Sequence, residues 1–300
     1  MAFVVPSAAV GKDAGVLRGS YSAAVWVDDL GRGRRRPALA HISRRPQRRA
    51  ARPFTPLVSR AGEERVNMKT GVSGNDVLSG PYEGRFGEWY LTRADVDEVQ
   101  AYRRGMAVTA AAAAVAAVAL LADVAGSPAS GVVWDAAFWM GVVGLGRALQ
   151  NIHIYLAPIH RFLKALYVVG VGGSAAVTLV LNAQSVAGGH GLVSLAEWLA
   201  QHPIGWLAGA GWCFVALTGI FFKEAFCFGR AEALGLTILT PLLVGGHFAG
   251  LWRTAGEPAA ATVAVVAALL FGVFAVHKFE QAALDDLGDK SVFEYLRRSS

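Results

Sequence analysis

Long apolar segments separated by short polar connections fill the chain from residue 106 onward. Each approaches the roughly 20 residues that a helix needs to cross the hydrocarbon layer of a membrane. We therefore predict an all-α, polytopic membrane bundle of about six spans, at residues 106–125, 132–150 (with 158 as an alternative end), 162–181, 204–222, 233–252 and 259–276. Residues 184–202 are too polar to span, and we expect a short helix there.

The chain just before the first predicted span is amphipathic. Thr92 and Asp95 have the spacing of a helix-capping box. Apolar side chains then recur at helical spacing, at Val96, Val99, Tyr102 and Met106. This pattern predicts an amphipathic helix on the membrane surface. Trp89 and Tyr90 precede it, and such rings favour the headgroup region.

The distribution of basic residues tests the number of spans. Arginine and lysine collect on the side of the membrane that the chain does not cross during insertion. With six spans, one side receives Arg85, Arg93, Arg103, Arg104, Arg161, Lys164, Lys223, Arg230, Lys278, Lys290, Arg297 and Arg298, with Arg147 close by. The other side receives Arg253. With five or seven spans, the basic residues would be divided between the two sides of the membrane. We therefore predict six spans, with both ends on the same, stromal-type side.

Composition excludes a soluble protein. Hydrophobic residues make up 54% of the chain and charged residues 17%, whereas soluble domains carry about 25% charged residues. The net charge of +6 arises from residues 1–60, so the remainder has no basic stripe of the kind that binds nucleic acid.

Residues 1–60 are rich in Arg, Ala, Ser and Pro and poor in acidic residues. This composition is typical of an organelle transit peptide, and the late arginine clusters favour a plastid. A basic tail that stays attached is the alternative. Residues 61–81 are predicted to be a linker, and residues 82–300 the helical membrane domain. The sequence does not choose between thylakoid and envelope.

Ionisable residues in or beside the spans are the first candidates for function. They are Asp135, Arg147, Lys223 and Glu224. Lys223 and Glu224 are predicted either to anchor a helix end at the headgroups or to place Glu224 inward, against Arg147.

Histidines provide weak candidates for binding a cofactor. Haem or chlorophyll ligation needs an imidazole that faces a cavity. His153, His160 and His277 fall on the stromal-type side, and His247 falls on the other side. A tetrapyrrole at these positions is a hypothesis with little support, and no metal site is predicted.

No catalytic motif is present: the chain has no P-loop, GxSxG, HExxH or dinucleotide fingerprint. Glycines recur on predicted spans, including the pairs Gly141/Gly144 and Gly246/Gly250, and small residues let membrane helices approach closely. The sequence thus leans away from an enzyme without excluding one.

Two stretches, GRFGEWYLTRADVDEVQAYRRG (84–105) and GIFFKEAFCFGRAEALGLTILTPLLVGGH (219–247), resemble an uncharacterised family of integral membrane proteins of cyanobacteria and plant or algal plastids. The resemblance implies a multi-spanning protein of a plastid membrane. It implies no reaction. Glu88 and Trp89 join Lys223 and Glu224 as candidate functional residues because they lie in these stretches.

Two functions remain open. The first is a non-enzymatic plastid membrane protein that supports the assembly or stability of a membrane complex, with the lipid bilayer and other plastid membrane proteins as its partners. The second is a transporter or channel for an ion or small solute.

Overall fold

The computed structural model describes residues 76–299. The predicted transit peptide and most of the predicted linker therefore lie outside the described residues. The elements, in chain order, are β1 (Val77–Gly84), β2 (Gly87–Thr92), α1 (Arg93–Val124), α2 (Gly131–Asn151), α3 (Ala157–Ala187), α4 (Leu195–Gln201), a 3₁₀ helix (Pro203–Ala208), α5 (Ala210–Phe228), α6 (Ala231–Phe248), α7 (Leu251–Ala255), α8 (Glu257–Glu280), α9 (Ala283–Leu287) and α10 (Lys290–Ser299).

Six of these helices are long and apolar enough to cross a membrane: α1, α2, α3, α5, α6 and α8. This confirms the predicted mostly helical fold with six candidate spans. Between α3 and α5, the polar segment predicted to carry a short helix contains α4. The fourth predicted span begins later than expected, at Ala210, because Pro203–Ala208 forms a separate 3₁₀ helix.

A β-hairpin that the sequence analysis did not predict precedes the first helix. β1 and β2 are antiparallel, with Gly84 opposite Gly87. Gly87 has a φ of +134°, which glycine adopts at little steric cost. Tyr82 and Trp89 face each other across the hairpin with ring centroids 5.0 Å apart. β1 begins at Val77, within the segment predicted as a linker.

The predicted amphipathic helix is continuous with the first span. Both form α1, which has 32 residues. The capping box that starts it is present, since the Asp95 carboxylate accepts from the Thr92 amide at 2.8 Å and the Thr92 hydroxyl accepts from the Asp95 amide at 3.3 Å. No proline interrupts the chain between the capping box and the span, so one helix continues through both.

Small residues pack the helices together. α1 packs against α2 and α8, α8 against α6, α6 against α5, and α5 against α3. Most core positions of α1 and α8 are alanines. At the α1–α2 contact, a Cβ added to Gly105 would lie 2.6 Å from the Gly144 carbonyl oxygen. In lipid, helix association depends on such close packing because the surrounding chains are as apolar as the helices.

The helix bundle has two ends, which we name after the elements that lie there. The hairpin end comprises the hairpin, the connections 152–156 and 229–230, α9 and α10. The α4 end comprises α4, the 3₁₀ helix and α7. At the hairpin end the Arg85 amide donates to the Asp289 carboxylate at 2.7 Å. Phe86 stacks on Tyr295 with ring centroids 4.1 Å apart. The two termini of the described chain therefore meet at one end, as an even number of spans requires.

The close α1–α2 contact predicts that adding one methyl group at Gly144 lowers the stability of the protein. Gly144→Ala would place a Cβ 2.6 Å from the Gly105 carbonyl oxygen and 2.8 Å from the Thr109 amide nitrogen, and we expect it to destabilise the protein by about 1–3 kcal/mol. Gly172→Ala is the matched control, because nothing lies within 4 Å of that Cβ. Thermal unfolding in detergent measures both. Equal stability of the two variants would contradict this packing.

Candidate functional site: a buried charge cluster

Four charged side chains are buried together at the hairpin end. Arg103 is 2% exposed, Glu224 and Lys278 are 0% exposed, and Asp286 is 6% exposed. They come from α1, α5, α8 and α9 respectively. We refer to these four residues as the buried charge cluster.

Lys278 is the centre of the cluster. Its ammonium donates to a Glu224 carboxylate oxygen at 2.9 Å and to Asp286. The other Asp286 oxygen accepts from the Arg103 guanidinium, from Nε at 2.8 Å and from Nη2 at 2.6 Å. The other Glu224 oxygen accepts from the Tyr102 hydroxyl and the Lys223 ammonium, each at 2.9 Å. Every charged group in the cluster thus has an oppositely charged partner.

The positions of the cluster side chains follow from the local sequence of α1 and of the turn between α8 and α9. Tyr102 and Arg103 are neighbours on α1, about 100° apart around the helix axis, so one contacts Glu224 and the other Asp286. Helix α8 ends at Glu280, and the extended Gln281 and Ala282 turn the chain into α9. This turn brings Asp286 back to Lys278, eight residues earlier.

Burial makes the cluster costly to disrupt. Desolvating a charge costs several kcal/mol, which paired charges and hydrogen bonds offset. Aromatic rings add to the lysine environment, since the Lys278 ammonium lies 4.5 Å from the Phe228 ring centroid and 5.5 Å from that of Tyr102. The cluster therefore joins four helices at one end of the bundle.

A polar cleft of about 560 Å³ adjoins the cluster, lined by Arg230, Glu232, His277 and Gln281 among others. The Gln281 side-chain oxygen accepts from the Lys278 ammonium and from the Arg230 guanidinium, each at 3.2 Å. His277 contacts the Glu232 carboxylate at 2.9 Å. Polar contacts thus link the surface to the buried lysine.

Two of the predicted charged candidates belong to this site. Glu224 points inward, but its partners are Lys278 and Lys223, and Arg147 is exposed. The pairing of Glu224 with Arg147 left open by the sequence is therefore not formed. Lys223 is 14% exposed and pairs with Glu224 while its ammonium also lies over the Phe228 ring.

Asp135 lies at the α4 end. Its carboxylate accepts from the Ser194 hydroxyl at 3.0 Å, the Leu195 amide at 3.0 Å and the Ala196 amide at 2.8 Å. These are the first amides of α4, which helix geometry leaves without partners inside the helix. Asp135 therefore fixes α4 against α2.

A larger groove of about 1510 Å³ lies at the hairpin end, between the start of α1, the α2–α3 connection and α10. His153 and His160 both line it. His153 contacts the Glu98 carboxylate at 3.2 Å. Burial lowers the pKa of His153 more than Glu98 raises it, so at neutral pH this contact is a hydrogen bond rather than an ion pair. His160 donates to the Leu149 carbonyl oxygen at 2.8 Å.

The four histidine candidates do not converge on one site: His153 and His160 share the groove, but the other two lie elsewhere. His277 lies in the cleft, and His247 lies beside Trp206 at the α4 end. All four rings already hydrogen-bond protein oxygens, His247 through the Leu199 backbone, so this geometry offers little support for a tetrapyrrole. Within residues 76–299, no three His, Cys, Asp or Glu side chains group as metal ligands.

Glu88 and Trp89 belong to the hairpin. Trp89 is 5% exposed and packs on Tyr82. Glu88 is exposed and lies opposite Glu83 in the strand register.

Sequence reasoning missed Tyr102, Arg103, Lys278 and Asp286 as site residues. It counted Arg103 and Lys278 among the basic residues outside the spans, on the stromal-type side of the membrane. The sequence did show that Arg103 and Lys278 each lie within a turn or two of the end of an apolar segment and close to a charge of opposite sign. That signal is equally compatible with anchoring, so it does not select burial.

A model of a family described as "Uncharacterized integral membrane protein (DUF2301)" matches residues 147–295. The match contains the stretch 219–247 that suggested the resemblance, and it does not contain 84–105. No curated protein and no solved structure matches the chain. Together with the six candidate spans, the match makes this a multi-pass integral membrane protein, to which the family description assigns no activity.

The cluster predicts that neighbouring aspartates differ sharply in their effect on stability. Asp286→Asn removes the carboxylate that pairs with buried Arg103. Because an uncompensated buried charge remains, we expect a loss of about 3–5 kcal/mol. Asp285→Asn is the control, since Asp285 is exposed and makes no ion pair within residues 76–299; we expect a change within about 0.5 kcal/mol.

Thermal unfolding of both aspartate variants in detergent tests the cluster. The double variant Arg103→Gln/Asp286→Asn should lose less than the sum of its single variants, because neither buried charge is then left alone. Similar melting temperatures for Asp286→Asn and Asp285→Asn would show that the cluster does not hold the helices together.

Proposed function

We propose that this protein is a non-enzymatic membrane protein of the plastid that supports the assembly or stability of a larger membrane complex. The observation that carries the proposal is the groove of about 1510 Å³ at the hairpin end. Small-ligand pockets measure roughly 300–1,000 Å³, so this groove is better matched to a segment of another protein. Its walls combine exposed Leu156 with charged residues such as Asp97 and Arg161.

The bundle interior supports this proposal over transport. A cavity of about 40 Å³ lies between α1, α2, α5 and α8, and its lining is almost entirely apolar. The Thr109 hydroxyl, which is polar, already bonds the carbonyl oxygens of Gly105 and Gly141. A buried water needs two to four polar partners, so this cavity is poorly suited to conduct an ion.

Several sequence features support the plastid. Residues 1–60 have the composition of a transit peptide, and the stretches 84–105 and 219–247 resemble a family of cyanobacteria and plastids. The excess of basic residues at the hairpin end favours a stromal position for that end.

Blue-native electrophoresis of plastid membranes tests the proposal. We expect the wild-type protein to migrate well above its monomer, whose full-length mass is 31.6 kDa. Leu156→Glu puts a charge into the groove at a side chain that is 61% exposed, and it should return the protein to monomer mass. Leu192→Glu, at a side chain 83% exposed at the α4 end, should leave the complex intact. Monomer migration of the wild type would reject the proposal.

The alternative is a transporter or channel for an ion or small solute. It is favoured by the polar contacts that run from the cleft through Gln281 to Lys278 and Glu224. In proteoliposomes, it predicts that Glu224→Gln abolishes flux while the protein stays folded, and that Arg253→Ala does not. Arg147 is exposed and lies outside these contacts, so Arg147→Ala is expected to leave flux unchanged. Unchanged flux in a folded Glu224→Gln variant would eliminate this alternative.

A further inference from the structure

Three basic residues form an uncompensated edge on the outside of α2 and α3 near the hairpin end. They are Arg147, Arg161 and Lys164, which we call the basic edge. Arg147 and Arg161 are exposed and Lys164 is half-buried. None forms an ion pair with any residue between 76 and 299. Residues 136–196 contain no Asp or Glu, so neither helix offers an acidic partner beyond the first turns of α2.

The two helices adjoin at the level of these residues. The His160 ring bonds the Leu149 carbonyl oxygen at 2.8 Å, and the Tyr167 hydroxyl donates to the Val142 carbonyl oxygen at 3.1 Å. Gly146 provides the room for Tyr167, because an added Cβ would collide with its hydroxyl. Arg147 on α2 and Arg161 and Lys164 on α3 therefore belong to two helices that adjoin at this level, and we refer to this junction as the seam.

The seam faces lipid at the depth of the headgroups. Arg161 is the fifth residue of α3, and Arg147 lies four residues before the end of α2. Long basic side chains at such positions extend toward the headgroups. α3 is the candidate span least covered by the rest of the protein, since 17% of the residues in its apolar stretch are buried. Beside Arg161, Ile159 is 47% exposed and Phe162 is 60% exposed, which provides apolar surface for an acyl chain.

From this arrangement we propose that the basic edge binds an anionic membrane lipid, whose phosphate or sulfonate headgroup contacts Arg147, Arg161 and Lys164 while its acyl chains lie against α3. Charge complementarity selects the anionic class, because the acids across the groove are already engaged: Asp95 bonds Lys290 and Glu98 contacts His153. Exposed Asp97 lies on α1 and lines the groove. Arg161 lines the same groove, which the proposed function uses for a protein partner, whereas Arg147 and Lys164 do not line it, so the two proposed sites adjoin at Arg161.

Native mass spectrometry of the purified full chain in detergent tests the proposal, with phosphatidylglycerol and phosphatidylcholine of identical acyl chains as probes. Each basic side chain near an anionic surface contributes roughly fivefold in affinity. We therefore expect Arg161→Gln to weaken phosphatidylglycerol binding about fivefold and the triple variant Arg147→Gln/Arg161→Gln/Lys164→Gln about a hundredfold. Phosphatidylcholine binding should not change.

Arg253→Gln is the matched control. Arg253 is an exposed arginine at the α4 end, so its loss should leave lipid binding unchanged. Arg161→Lys, which keeps the charge, should retain most of the affinity and remains informative if the triple variant does not fold. Equal affinity for the two lipids, equal losses in Arg161→Gln and Arg253→Gln, or displacement of the lipid by soluble glycerol 3-phosphate would each overturn the proposal. Because blue-native migration of Leu156→Glu is a separate readout, either proposal can fail alone.

Discussion

Close contact between helix backbones is the constraint on which this fold depends. Lipid chains are as apolar as the helices they surround, so hydrophobicity holds the spans in the bilayer without holding them to one another. The contact of Gly105 with Gly144, and that of Gly173 with the Ala208 carbonyl oxygen, bring backbones to distances that no larger residue permits. These glycines are thus used for contacts within the chain. The partner in the proposed function would therefore bind elsewhere, and the groove at the hairpin end provides the space.

The buried charge cluster complements this packing by acting where packing is weakest. α9 is five residues long, too short to be stable alone, and it follows the last span. The shared ammonium of Lys278 and the guanidinium of Arg103 attach it through Asp286. Replacing buried ion pairs by apolar residues is often neutral or stabilising, so stability alone does not explain the cluster. Its directional contacts instead join α1, α5, α8 and α9 to one another beside the cleft.

The spans were predictable because apolar segments of about twenty residues form few structures other than membrane-spanning helices. The number of spans was predictable because the distribution of Arg and Lys between the two sides depends only on how often the chain crosses the membrane. The hairpin was not predictable, because β1 includes two glycines and a proline, which in isolation favour a linker. Pairing with β2 and contacts with α10 override that preference. The cluster joins residues more than 170 positions apart, such as Arg103 and Asp286. A charge near a helix end can reach either the headgroups or the interior, and only the position of the other helices decides which.

The basic edge and the groove share residues, which couples them physically. Arg161 belongs to the basic edge and also lines the groove, together with Gln150 from the last turn of α2. A protein segment seated in the groove would therefore lie beside any headgroup bound at the seam. An anionic headgroup would neutralise Arg161 and so reduce the attraction of the groove for an acidic segment, while leaving its apolar contacts at Leu156 unchanged. Lipid composition would in this way influence which partners the hairpin end accepts without any movement of the bundle.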